Sequence, residues 1–271
     1  MHKIIIQLGI FLFMLTLACP AISQETLRYN GSSVMLRAIM YKVAGELNKQ
    51  EGIHIDLKGK DTIFGINKLL TGEADITGGG RALTPEEKAQ GLVQKKLFLD
   101  ARAFVVNSRI PVELLSTTQI SDILMGKIKN WNTLAPIDSK MHIIAPNSTS
   151  AHYLNQQKIT GYKKLPAGTI YCDRVPDVPR KIFENPYNAV GFTSYSNAKN
   201  VEGVRILTIS VNGEPVPITK DNISSGKYPY VQSMYFYTVG EPKGNVQKFI
   251  KFLESEQGRE IIADAGFFTL N

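Results

Sequence analysis

Three places along the chain set hydroxyl side chains where a short extended run gives way to helical spacing: Ser32-Ser33, Thr62 and Ser148-Thr149-Ser150. A fourth segment, Gly78-Gly79-Gly80-Arg81, leads a run of glycines up to a guanidinium. The first turn of a helix leaves backbone N–H groups without intrahelical partners and carries the positive end of the macrodipole. Hydroxyls add donors there without a charge that has to be desolvated. Glycines let backbone come close to a ligand, and Arg81 offers charge-assisted, bidentate donors. Such a set suits a compact tetrahedral anion. Taken singly, each hydroxyl is better read as a helix cap and Arg81 as a surface residue. The case rests on their acting together.

Other chemistry finds less support. His54, His142 and His152 have no metal-ligand partner at helical or short-loop spacing, so neither metal nor cofactor is expected. His152 follows Ser150 by two residues, but early-helix histidines usually serve packing or surface, and no nucleophile pair is implied. Cys172 has only Asp173-Arg174 beside it to activate a thiolate. Asp61, next to Thr62, reads as an N-cap before it reads as an acceptor for a ligand proton.

The elements that would carry these residues alternate. Strand readings at Leu27–Tyr29, His54–Leu57 and Ala74–Thr77 are separated by helical stripes through Leu36, Ile39, Val43 and Leu47, and through Ile63, Ile66 and Leu69. Lys96–Asn107 is a long extended run and Ser116–Met125 a capped helix. His142–Ala145 and Ala189–Tyr195 are strands, residues 205–216 a hairpin turning at Asn212-Gly213, and residues 246–253 and 259–265 closing helices. This is α/β patterning without repeat, low-complexity segment or linker. A chain of two lobes must then cross between them through strands, and Phe104–Asn107 and Ala189–Tyr195 are the natural crossings.

Composition sets the compartment. Lys3, the apolar run Ile4–Leu17 and the small residues of Ala21-Ile22-Ser23 form a secretory signal over residues 1–23, cleaved after Ser23. Thr16 and Pro20 argue against lipidation of Cys19, so a periplasmic protein is expected in place of an anchored lipoprotein. No later apolar stretch approaches spanning length. Cys172 is then the one mature cysteine, and the fold stands on its core without a disulfide. The net charge of +7 over 271 residues suits capture of anions and equally fits an ordinary solvated surface. Basic residues are dispersed, which argues against a nucleic-acid partner.

Tyr29–Val34 (YNGSSV), Gly72–Ile76 (GEADI) with Gly80–Leu83 (GRAL), and the stretch TTQISDILMGKIKNW ending at Trp131 together resemble segments of the phosphate-binding component of bacterial phosphate ABC transporters. Gly213-Glu214-Pro215, Asn222–Pro229 (NISSGKYP), Glu256-Gln257-Gly258 and Ala265-Gly266-Phe267 complete the resemblance in order. It implies a two-lobed periplasmic-binding-protein fold of type II-like form, with two crossing strands and an interlobe ligand cleft. Residues 24–104 plus 192–271 would be lobe I and residues 105–191 lobe II. The ligand set it implies is Ser32, Ser33, the Val34 backbone, Thr62, Gly80, Arg81, Ser148, Thr149 and Ser150. Trp131 would be a structural corner.

Two departures from that family's pattern stand out. Gly80 replaces a carboxylate that accepts the proton left on phosphate, and Ile143–Asn147 lacks the arginine that precedes the second-lobe hydroxyls. Without a fixed acceptor, discrimination against sulfate should weaken. The function implied is capture of phosphate or a similar oxyanion for an inner-membrane permease, by a monomer and without chemistry on the ligand. Alternatives are an oxyanion sensor or scavenger not coupled to transport, and an exported phosphoester hydrolase.

Overall fold

The computed structural model describes residues 26–147, 150, 153, 156–161 and 163–270. The signal segment 1–23 and Ser148, Thr149 and His152 lie outside the described residues. The strands are β1 (Leu27–Ser32), β2 (Ile55–Lys60), β3 (Thr77–Gly79), β4 (Leu92–Asn107), β5 (Leu114–Ser116), β6 (His142–Pro146) and β7 (Ile170–Cys172). They continue as β8 (Ala189–Ser194), β9 (Val204–Ile206), β10 (Thr208–Val211), β11 (Glu214–Val216), β12 (Val231–Val239) and β13 (Phe268–Thr269). Helices lie in most of the intervals, though none separates β4 from β5 or β9, β10 and β11 from one another, so the α/β alternation read from the sequence holds over most of the fold.

β1 and β2 pair in parallel, and Tyr29 bridges to Ile76 just before β3. From β3 the large sheet runs β3-β12-β4-β8-β6-β7, with β9 and β13 also on β4. The hairpin turns at Asn212 and Gly213, both at positive φ (52° and 90°), and joins β5 in a small sheet β11-β10-β5. A two-residue turn with both φ values positive matches the twist of its strands, which is why Asn-Gly serves there.

β4 is what makes one molecule of two cores. Its first part, Leu92 to Ala101, pairs antiparallel with β12, and Arg102 to Val106 pair antiparallel with β8. At ~3.3 Å per residue such a strand reaches about 50 Å, longer than one small core needs. Phe98 packs in the core of Leu27, Tyr29, Met35, Phe236 and Phe249. Phe104 and Val106 pack instead with Trp131, Ile143 and Phe192. That second core also holds Leu207, Ile209, Val216, Ile223 and Tyr228. Residues 207–228 therefore pack with the middle of the chain, and the expected boundary at 192 is not the one the cores follow. The return crossing is the Tyr228–Val231 segment entering β12, since Met234 and Phe236 belong again to the first core. β8 stays within the second half, buried along its whole length. A fully buried strand reads alike in sequence whichever core covers it, and that is why Ala189–Tyr195 looked like a crossing.

The end of β1 is fixed by two devices. Arg28 and Asp75 pair across neighbouring segments: the Arg28 backbone N–H donates to Asp75 Oδ2 at 2.7 Å, and Nη2 to Oδ1 at 2.6 Å. Partial burial works to raise the Asp75 pKa, but the hydrogen bonds and charge of Arg28 outweigh it and hold the carboxyl below its usual range. Beside this pair, the Thr62–Leu70 helix approaches β1 and β3 through Gly65. A Cβ there would stand 1.9 Å from Thr77 Oγ1 and 2.5 Å from the Asn30 carbonyl oxygen.

Gly65→Ala should therefore push the helix off the strands and cost about 2–3 kcal/mol in urea unfolding, the overpacking range. A loss within about 0.5 kcal/mol, as at ordinary surface positions, would show that the approach is not tight. Asp75→Asn should cost about 1 kcal/mol at neutral pH, the pair being partly exposed. Because the folded pKa is depressed, this contribution is present above the unfolded value of about 3.9 and is lost as pH falls through the lower folded value. The gap between wild type and variant should then close in acid. A gap that does not change with pH would contradict the ionic account.

Candidate functional site

The first hydroxyl turn is built where β1 ends. Ser32 closes the strand and caps the following helix, its Oγ accepting from the Met35 N–H at 3.5 Å. Ser33–Met35 begins that helix, which continues through a π-helical turn, Leu36–Met40, into Tyr41–Glu51. Ser32, Ser33 and Val34 are all buried. The N–H groups of this first turn have no intrahelical acceptors.

The second turn follows β2. Asp61 caps the Thr62–Leu70 helix, its Oδ1 accepting from the Phe64 N–H at 2.8 Å. The carboxylate thus takes the cap role, and Thr62 is the first helical residue, 3% exposed. Its Oγ1 accepts from the Gly80 N–H at 3.3 Å, which leaves the hydroxyl proton to donate elsewhere. At Gly79 a Cβ would sit 2.4 Å from that same oxygen. The Ser32-Ser33 turn, the Thr62 helix start and the Gly79-Gly80 backbone meet at one edge of the first core, the edge to which β1 and β2 both point their C-terminal ends. Thr77 supports the meeting from behind, donating from its hydroxyl to the Asn30 carbonyl.

Arg81 has a partner of its own. Its Nη1 and Nη2 donate to Glu87 Oε2 and Oε1 at 2.8 and 2.6 Å, and Nη1 also donates to the Ala82 carbonyl at 2.9 Å. The bond to Glu87 raises the guanidinium pKa further. Glu87 in turn completes the capping box of the Pro85–Ala89 helix, accepting from the Thr84 N–H at 2.8 Å. The charge expected for an anion is thus balanced by a carboxylate six residues on. Thr84-Pro85-Glu86-Glu87 is a capping-box sequence, and it was the legible sign that Glu87 would be fixed near this loop.

On the other half of the molecule, Ser150 is 6% exposed and its Oγ accepts from the Tyr153 N–H at 3.1 Å. Tyr153, three residues on, is helical. Asn147, one residue past β6, donates its N–H to the Cys172 carbonyl at 2.9 Å and its side-chain amide to Asp173. From Cys172 the chain runs directly to the 3-10 turn Val175–Asp177. Val175 packs in the first core with Val34 and Met35, and Arg37 Nη1 donates to the Pro176 carbonyl at 3.4 Å. This segment carries the second half onto the first hydroxyl turn. Sequence reasoning missed it, although Val175-Pro176-Asp177-Val178-Pro179 has the stiff, proline-dense character of a fixed contact.

Cys172 is buried, and burial, with Asp177 adding to it, pushes its thiol up to about 11. That disfavours the thiolate, the form that acts as a nucleophile. Trp131, fully buried in the second core, starts a 3-10 turn and acts as a corner. No group of His, Cys, Asp and Glu among the described residues could hold a metal ion. No described helix is long and apolar enough to cross a membrane.

Comparison with known proteins agrees with this architecture. The chain is 25% identical over 281 residues to the phosphate-binding protein PstS of Borreliella burgdorferi, covering 98% of each chain. It is 25% identical over 247 residues to the phosphate-binding protein PstS of Bacillus subtilis, covering 89% of this chain and 80% of that one. In structure it is similar to a Clostridium perfringens protein described as a phosphate ABC transporter substrate-binding protein with bound phosphate. There the TM-score is 0.81 at 23% identity, covering 91% of this chain and all, 100%, of the other. An ABC-type phosphate transport receptor from Vibrio cholerae gives a TM-score of 0.70 at 24% identity, covering 90% of this chain and 100% of that one. The family model of the PBP superfamily domain matches residues 20–257, and the chain belongs to that superfamily.

Proposed function

We propose that this chain is an exported solute-binding protein that closes on phosphate, or a similar tetrahedral oxyanion, and presents it to an inner-membrane ABC importer. The observation that carries the reading is the meeting of two helix starts and a glycine strand at one buried edge, with the Thr62 hydroxyl proton left to donate. Ser33, the Val34 backbone, Thr62 and Gly80 would supply donors from one lobe, and Ser148, Thr149 and Ser150 from the other. The names of the relatives, phosphate-binding proteins along nearly the full chain, support the same ligand. Residues 1–23 would direct the chain to the periplasm, where it works as a monomer and does no chemistry on its ligand.

The lobes, in this reading, divide where the cores change: after Phe98 on the outward strand and between Tyr228 and Met234 on the return. Closure would be a hinge motion at those strands, favoured because the closed form offers donors from both lobes to one anion. Arg81, held by Glu87, would set the backbone of the glycine loop and contribute little net charge. That balance favours, as a second reading, a sensor or scavenger with modest affinity. The titration below separates the two by the strength of phosphate binding.

Calorimetric titration of ligand-stripped protein should show phosphate binding, with sulfate weaker by less than roughly a hundredfold, because no carboxylate stands at position 80. Undetectable sulfate alongside tight phosphate would refute that account of selectivity. Ser33→Ala should weaken phosphate about tenfold, one hydrogen bond to a charged ligand, while the ligand-free melting temperature stays near wild type. Unchanged phosphate affinity in this variant would remove the first turn from the site.

A further inference from the structure

Where the two cores join, a second cavity opens that shares no described lining residue with the turn at Ser33, Thr62 and Gly80. Its volume is 430 Å³, and Arg102, Lys158, Thr117, Ser121, Tyr230 and Gln232 line its polar part. Ile159, Pro229 and Val231 make the remainder apolar. No carboxylate lies among these lining residues.

Arg102 is held in place before any ligand arrives. It is 4% exposed, its backbone N–H donates to the Tyr230 carbonyl at 2.8 Å, and its guanidinium lies 5.8 Å from the Phe192 ring centroid. Its own carbonyl accepts from the Tyr228 hydroxyl at 2.6 Å. Burial lowers its pKa to about 10, against the opposing pull of Asp100, so it remains a cation at neutral pH. Asp100 stands behind the cavity, accepting from Ser194 at 2.6 Å and from Gln232 at 3.3 Å. Arg102 and Lys158 are the two cations among the lining residues. Thr117 opens the Thr117–Leu124 helix, so the positive end of that macrodipole lies on the same wall. Ser121 gives its proton to the Ile159 carbonyl at 3.3 Å and ties the Thr117–Leu124 helix to the turn at Ile159. The Tyr230 phenol, pushed up to about 12 by burial, stays protonated and is a donor.

We propose that this cavity is a second anion site that takes a small organic anion, its carboxylate or phosphate-monoester head on Arg102 and Lys158 and its short apolar body on Ile159, Pro229 and Val231. A volume of 430 Å³ is that of an organic-ligand pocket and far exceeds what a tetrahedral ion fills. The apolar third of the wall would gain nothing from such an ion.

The test titrates the exported chain with benzoate and with phenylphosphate, each with and without saturating inorganic phosphate. Saturable binding that persists in phosphate, falls at least about tenfold in Lys158→Gln and is unmoved by Ser33→Ala is the expected result. Lys158 is exposed, so the variant should fold, and its melting temperature checks this. Tighter binding of phenylphosphate assigns the head to a phosphate monoester, and tighter binding of benzoate to a carboxylate. Absence of saturable binding overturns the site, as does binding that phosphate abolishes or that Lys158→Gln leaves unchanged. The arm without phosphate keeps this outcome separate from whether the chain captures phosphate.

Discussion

Backbone amides reach a buried anion only where no Cβ stands between, and the first core is arranged around that limit. The Thr62–Leu70 helix lies against β1 and β3 through Gly65, and Thr62 rests on Gly79, at distances no side chain would tolerate. The approach puts a hydroxyl, two helix starts and a strand amide at one edge. Asp61 and Ser32 cap the helices and fix their directions. Arg28 and Asp75 then hold β1 to the segment that leads into β3.

Neutral donors dominate this edge. Arg81 would be the obvious charge, yet Glu87 engages it with two bonds and is itself locked by a helix cap. A site made of amides and hydroxyls avoids desolvating a cation before ligand arrives. At position 80 it also lacks a fixed acceptor of the kind that tells a protonated oxyanion from a fully ionised one. Position 80 is glycine, and Asp61, the nearest carboxylate in sequence to Thr62, faces Phe64 in its cap. In the proposed reading, the amides and hydroxyls would hold the anion, while the glycine at position 80 offers no acceptor to read its protonation.

The joint between the cores is polar where a simple hinge would be bland. Asp100, Arg102, Ser194 and Gln232 are buried together on β4, β8 and β12, with Tyr228 closing on the Arg102 carbonyl. Buried charges of this kind are costly unless hydrogen-bonded, and they restrict which arrangements of the strands are acceptable. Val175 makes a second, apolar link, docking the middle of the chain beside Val34 and Met35. The two halves are thus tied both at the crossing strands and at the first hydroxyl turn.

Local chemistry was legible from the chain alone. Period and caps gave the alternation of strands and helices, the helix after Ser116, the Asn212-Gly213 turn and the cap at Asp61, because each depends on residues within a turn or two. The hydroxyl-bearing helix starts at Ser32 and Thr62 were visible for the same reason. Which core a strand joins was not: Val190, Phe192, Leu207 and Ile209 are apolar in any setting, and only packing assigns them to the second core. Likewise the composition of Arg81 and Arg102 says nothing of Glu87 against one or of the cavity beside the other. Sequence pattern reports that a face is covered or a charge present, whereas the identity of the partner is set by tertiary distance, and that decided both the joint and the electrostatics of the site.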